Sequence, residues 1–64
     1  MKNRVREFRK KLGCRQEELA SKMNVTRQTI SAIENNKYNP TLELAMKLAR
    51  FLEISVEELF LLDD

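Results

Sequence analysis

Five side chains within six positions, Arg27, Gln28, Thr29, Ser31 and Ala32, carry the chemistry that stands out in this 64-residue chain. Arginine offers a planar fork of donors, glutamine a paired donor and acceptor, and the two hydroxyls can serve in either sense. Such a set matches the exposed edges of base pairs. Arg suits guanine, Gln suits adenine, Ser and Thr reach base or phosphate, and the Ala methyl fits against a thymine methyl. A merely solvated helix of this length would favour Glu and Lys at i,i+4 spacing. This stretch is instead short, polar and almost free of acid.

The rest of the sequence excludes most other chemistry. There is no histidine, Cys14 is the only cysteine, and Gly13 is the only glycine, so neither a metal cluster nor a phosphate-cradling loop can be assembled. Glu57 and Glu58 are neighbours on a helix and point apart, so they are not a catalytic carboxylate pair. No enzyme activity, cofactor, metal or small-molecule ligand is expected, because so short a chain cannot enclose a substrate. One cysteine forbids an internal disulfide and suits a reducing cytoplasm. The opening MKNRVREFRKK is charged throughout, unlike a signal peptide, and no run approaches the ~20 apolar residues of a membrane span. A single domain over residues 1–64 is expected, in the cytoplasm and without a membrane partner.

Charge is unevenly spread. Residues 1–40 hold ten Lys/Arg against four Glu, a net +6, whereas residues 41–64 hold two basic residues against six acidic ones, a net −4. The first part suits a polyanion. An unevenly charged solvated surface accounts for the same numbers, so charge does not decide the matter by itself.

Apolar residues recur at helical spacing almost throughout, and no stretch alternates as a strand does, which predicts an all-α class with about five short helices. Val5, Phe8 and Leu12 define one face of a first helix that stops at Gly13. A second runs from about Gln16 to Met23, with Leu19, Ala20 and Met23 inward and Glu17 and Glu18 favouring its N-terminus. Asn24 and Val25 form a turn. Thr26 then caps a third helix, Arg27 to Asn35, whose inward residues are Ile30 and Ile33. A loop follows from Asn35 to Pro40, in which Asn36 can adopt the left-handed conformation. Thr41 caps a fourth helix to about Leu52, with Leu42, Ala45, Leu48, Ala49 and Leu52 as its core stripe. Ser55 to Glu58 reads as a capping box opening a fifth helix that buries Val56, Leu59 and Phe60.

Residues 16–35 therefore have the layout of a helix-turn-helix: two helices of about eight residues, a short turn, and Leu19, Ala20, Val25, Ile30 and Ile33 to lock their angle. The outward face of the second helix is the one carrying Arg27 and Gln28. A major groove about 12 Å wide admits such a helix.

The stretch RQEELASKMNVTRQTISAIENNKYNPTLELAMKLARFLEISVEELF resembles the Cro/CI-type, or XRE-type, helix-turn-helix domain. The likeness covers about Val5 to Phe60, with Q-E-E-L-A, V-T-R-Q-T-I-S, I-E-N, N-P-T-L and S-V-E-E-L-F in register. It implies a compact five-helix, lambda-repressor-like fold and a regulator, expected to be a repressor, that binds specific double-stranded DNA. It further implies base readout by Arg27, Gln28, Ser31 and Ala32. Contacts to the DNA backbone would come from Gln16, Thr26, Thr29, Asn35 and Lys37, with Tyr38 joining from the loop. Arg9 and Glu34 occupy places that in many members form an ion pair between the first and third helices; the rival reading is two independent surface charges.

Three positions depart from the family pattern. Arg15 stands where Ser or Thr is usual, which predicts the loss of a side-chain N-cap on the second helix. Asn36 replaces a common glycine, and Cys14 replaces an apolar residue and reads as a small core side chain rather than a thiol switch. At the C-terminus, Leu61 and Leu62 extend the apolar run that Phe60 begins beyond what a small core needs. The three together are candidate contacts for a homodimer formed through the C-terminal helix, which would place two reading helices one DNA turn apart. A docking patch for another protein, as in an antitoxin or interaction module, and simple fraying are the alternatives for Leu61 and Leu62.

Overall fold

The computed structural model describes residues 1–63. Among them the chain forms β1 (Lys2–Asn3), α1 (Val5–Lys11), α2 (Gln16–Met23), α3 (Arg27–Glu34), α4 (Leu42–Leu52), α5 (Val56–Leu59) and β2 (Phe60–Leu61). Leu19, Ile30, Ile33, Leu48, Leu59 and Val5 are fully buried, so all five helices contribute to one core. The fold is the helical one that the periodicity predicts.

Four of the helices end in the same way. After α1, α2, α3 and α4 the chain takes a left-handed residue, at Gly13, Asn24, Asn36 and Glu53 with φ of 69°, 59°, 61° and 57°. At each, the N–H of that residue and the one after it bond back into the last turn. Asn36 donates to the Ile33 carbonyl at 3.0 Å and Lys37 to that of Ala32 at 2.9 Å; Glu53 and Ile54 repeat the pattern on Arg50 and Ala49. This Schellman arrangement satisfies carbonyls that a helix end leaves free. The residue following the left-handed one is apolar in three of the four, and Cys14, Val25 and Ile54 pack against the core. Lys37 is the exception and stays exposed. Cys14 thus fills a structural position, and burial pushes its thiol pKa up, away from the reactive thiolate.

Four expectations need correction. The chain ends pair as a two-stranded antiparallel ribbon, with Lys2 opposite Leu61 and Asn3 opposite Phe60, continued by Arg4 N–H on the Leu59 carbonyl at 2.8 Å. Strands of two residues are too short to show a period, which is why none is visible in the sequence. The apolar C-terminal run therefore leaves the helix at Leu59. Phe60 and Leu61 belong to β2 rather than to a C-terminal helix, and Phe60 is buried in the protein's own core.

Leu42 is not part of the core stripe. It is 72% exposed, and Leu44 takes its place beside Ala45, Leu48, Ala49 and Leu52. At 3.6 residues per turn Leu42 lies about 90° from the centre of that face. Leu12 likewise falls just beyond the end of α1 and is 52% exposed.

Candidate nucleic-acid interface

The site is built on α2, the turn after it, and α3. α2 starts at Arg15, whose guanidinium has no acceptor and cannot cap the helix. Half of a capping box remains, because the Arg15 backbone N–H donates to Glu18 Oε1 at 2.8 Å. Thr26 caps α3 fully: its Oγ1 accepts from Thr29 N–H at 3.2 Å and lies 3.0 Å from the Thr29 hydroxyl. Between the two helices Leu19, Ala20, Met23, Ile30 and Ile33 are buried and Val25 half-buried. That packing fixes the angle at which α3 projects.

On the outer side of α3, Arg27 and Gln28 are exposed, while Thr29, Ser31 and Ala32 are half-buried. Neither Arg27 nor Gln28 makes a side-chain hydrogen bond among the described residues, so both forks are free. Lys37 and Tyr38 are exposed in the loop beyond the Schellman turn. Arg27 and Gln28 thus occupy one end of α3, and Asn35, Lys37 and Tyr38 follow its other end.

The only carboxylate of α3, that of Glu34, is withdrawn from this face. Its side chain is fully buried, and four donors converge on it. Arg9 Nε donates to Oε2 at 2.7 Å and Arg9 Nη2 to Oε1 at 3.2 Å; Gln16 Nε2 donates to Oε1 at 3.0 Å and Arg6 Nε at 3.3 Å. Arg9 also donates through Nη1 to the Cys14 carbonyl at 2.8 Å, which ties in the turn between α1 and α2. Burial alone pushes the Glu34 pKa up, but the hydrogen bonds from Arg9, Gln16 and Arg6 outweigh it and hold the carboxyl below its ordinary range. The Glu34 hydrogen bond in turn raises the Arg9 pKa. A charged carboxylate is therefore kept inside the domain, neutralised, and off the outer surface.

The structure draws in two residues that sequence reasoning passed over. Arg6 lies three residues before Arg9 on α1 and reaches both Glu34 and Asn35, donating from Nη2 to Asn35 Oδ1 at 2.8 Å. The i,i+3 spacing of the two arginines was the available signal. Asn3 accepts from Val5 N–H at 3.1 Å and donates to the Ile33 carbonyl at 2.8 Å and to Asn36 Oδ1 at 3.2 Å. It joins the terminal ribbon to the end of α3. Nothing local in the sequence marks a contact across so many residues.

Gln16, expected at a DNA phosphate, is half-buried with its amide turned to Glu34. A glutamine amide carries two hydrogens, so the bond to Glu34 orients the group and leaves one donor over. Asn35 is exposed, accepts from Arg6 and donates to Ser31 Oγ at 3.3 Å. Of the C-terminal candidates, Phe60 is 8% exposed, Leu61 38% and Leu62 78%. Phe60 edges a shallow apolar depression that Pro40, Leu42, Val56 and Leu62 also line.

Comparison with known proteins agrees with this architecture. A helix-turn-helix family model matches residues 5–59. The chain is 53% identical over its whole length to an uncharacterized HTH-type transcriptional regulator of Archaeoglobus fulgidus, of which it covers 91%, and 42% identical over its whole length to the HTH-type regulator YgzD of Bacillus subtilis, of which it covers 97%. The crystal structure of the restriction-modification controller protein C.AhdI from Aeromonas hydrophila superimposes with a TM-score of 0.79 at 37% identity, over 89% of this chain and 83% of that one. With its capped α3, its buried Arg9–Glu34 pair and this likeness along nearly its whole length, the chain belongs to the XRE-type helix-turn-helix family, a family of DNA-binding transcriptional regulators rather than of enzymes.

Proposed function

We propose that the chain is a sequence-specific transcriptional repressor that lays α3 in the major groove of duplex DNA and works as a homodimer. The observation that carries this reading is the division of charge on α3. Arg27 and Gln28 stand free at its outer end, while its one acidic side chain is buried against Arg9. Arg27, Gln28, Ser31 and Ala32 read base edges. Gln16, held by Glu34, presents its remaining amide hydrogen to a phosphate, and Thr26, Thr29, Asn35, Lys37 and Tyr38 hold the backbone on either side. Repression follows from occupancy alone, which needs only the DNA-binding surface of α2, α3 and the loop after α3.

One helix of eight residues spans too few base pairs to select a genomic site unaided. The second copy docks on the apolar face formed by Leu42, Met46 and Leu62, which are 72%, 52% and 78% exposed. Glu43, Lys47 and Arg50 lie beside Leu42 and Met46, so the patch carries both signs of charge and suits a two-fold contact with itself. An antitoxin-like or interaction-module role would use the same apolar face for a different chain. The working compartment is the cytoplasm, where Cys14 stays reduced.

Titration with random duplex DNA at two salt concentrations tests the core of this reading. Counterion release predicts a steep loss of affinity as salt rises. Absence of binding at both concentrations rejects it in favour of the interaction module. Selection from a random DNA pool then yields two half-sites about 34 Å apart if the dimer forms as proposed.

A further inference from the structure

A line of hydrogen bonds runs from α1 to the reading face of α3. Arg6 donates from Nη2 to Asn35 Oδ1 at 2.8 Å, and Asn35 Nδ2 donates to Ser31 Oγ at 3.3 Å. Arg6 is itself anchored, with Nε on the buried Glu34 carboxylate. Asn35 follows Ser31 by four residues, so the two share one side of α3.

We infer that Arg6 and Asn35 are positioning residues that make Ser31 a hydrogen-bond donor toward the DNA, and so set the base accepted at the position Ser31 faces. A guanidinium carries donors only, so the Asn35 oxygen must face Arg6 and its NH₂ must face Ser31. Ser31 Oγ then uses one of its two lone pairs inward, so its hydrogen is not consumed by Asn35 and stays available to an outside acceptor. A donor selects acceptor atoms: O6 and N7 of guanine, N7 of adenine, O4 of thymine. It discriminates against the amino edge of cytosine. This inference rests on the major-groove reading proposed above, and it assigns a polarity to one contact within that reading.

The test uses the full chain and the site obtained by selection, with each base pair substituted in turn and binding measured by competition. Ser31→Ala should flatten the preference at one position by roughly threefold to tenfold, the scale of a single hydrogen bond. Asn35→Asp is the decisive variant. A carboxylate only accepts, so it keeps the contact to Arg6 but forces the Ser31 hydroxyl to donate inward. The outward group becomes an acceptor, and preference at that one position should shift toward the amino groups of adenine and cytosine. Arg6→Ala, which frees the Asn35 amide to turn over, should relax the same position without inverting it. Lys10→Ala, an exposed charge on the same helix, should weaken all sequences alike.

Asn35→Asp weakening every sequence equally, with the ranking at that position unchanged, would overturn the inference. So would a Ser31→Ala variant with no effect at any base pair while Gln28→Ala still relaxes one. A wild-type chain that selects no sequence at all would instead overturn the groove reading itself.

Discussion

Gln16 Nε2 and Arg9 Nε sit on the two oxygens of one carboxylate, that of Glu34, at 3.0 and 2.7 Å. Three helices are thereby fastened at a single buried charge: α1 through Arg9, α2 through Gln16 and α3 through Glu34 itself. A buried pair of this kind contributes orientation more than net stability, since both ions lost their water on folding. Breaking it is another matter. Arg9→Ala leaves Glu34 charged and buried with fewer donors, and should cost about 3–5 kcal/mol. That is a large part of the stability a domain has, so the variant should be substantially unfolded in urea well below the wild-type midpoint. Replacing both partners, Arg9→Met with Glu34→Leu, should recover most of the loss. A loss under about 1 kcal/mol for Arg9→Ala would mean the pair behaves as surface charges do.

The same carboxylate makes stability depend on pH. Its folded-state pKa lies below the ordinary value of 4.5, so its contribution is complete above about that pH and is lost as pH falls through the lower, folded-state value. Glu7, which accepts from Arg4 and Lys11, is shifted in the same direction but is solvent-exposed. Urea midpoints should therefore hold from pH 7 to about 5 and fall below it. Glu34→Gln, less stable at neutral pH, should show a shallower fall. Equal slopes for wild type and variant would assign the acid sensitivity to other carboxyls.

Leu42 and Leu44 look interchangeable in sequence and should respond in opposite ways. Leu44 is buried, and Leu44→Ala should cost about 2–5 kcal/mol in any assay of folding. Leu42→Ser should stay within about 0.5 kcal/mol when unfolding is measured on the dilute monomer. If the apolar face receives a second copy, Leu42→Ser and Leu62→Ser should each weaken self-association in sedimentation and lower the affinity for a two-half-site duplex. Their effect on a single half-site should be small. Unchanged association for both variants would move the dimer contact elsewhere.

What the sequence revealed follows from the range of the interactions involved. The caps at Thr26, Thr41 and Ser55, the helix stop at Gly13, the turn at Asn24 and the left-handed Asn36 are local and were legible, because each needs a particular residue type within three or four positions. The helix-turn-helix packing was legible too, since Leu19, Ala20, Ile30 and Ile33 show the helical period. Leu42 misled because an apolar residue at the edge of a stripe has the same spacing as one inside it. The Asn3 and Arg6 contacts and the terminal ribbon join residues far apart in the chain. Only the folded arrangement brings those partners together, so no window along the sequence contains them.

Glu53 is the turn residue that the sequence conceals, and it yields the last prediction. It ends α4 with φ of 57°, a conformation in which its Cβ crowds the following carbonyl and which Gly or Asn enters far more easily. The side chain is exposed, and it makes no ion pair or hydrogen bond among the described residues that would offset the strain. Glu53→Gly should therefore stabilise the domain by about 1 kcal/mol, the relief of strain less the added freedom of the unfolded glycine. For a chain of this size that corresponds to a rise in Tm of about 4–8 °C. Glu53→Ala separates this cause from a change of charge: it removes the carboxylate but keeps Cβ, and should leave Tm nearly unchanged. If alanine stabilised as much as glycine, repulsion involving the carboxylate, rather than backbone strain, would be the term relieved.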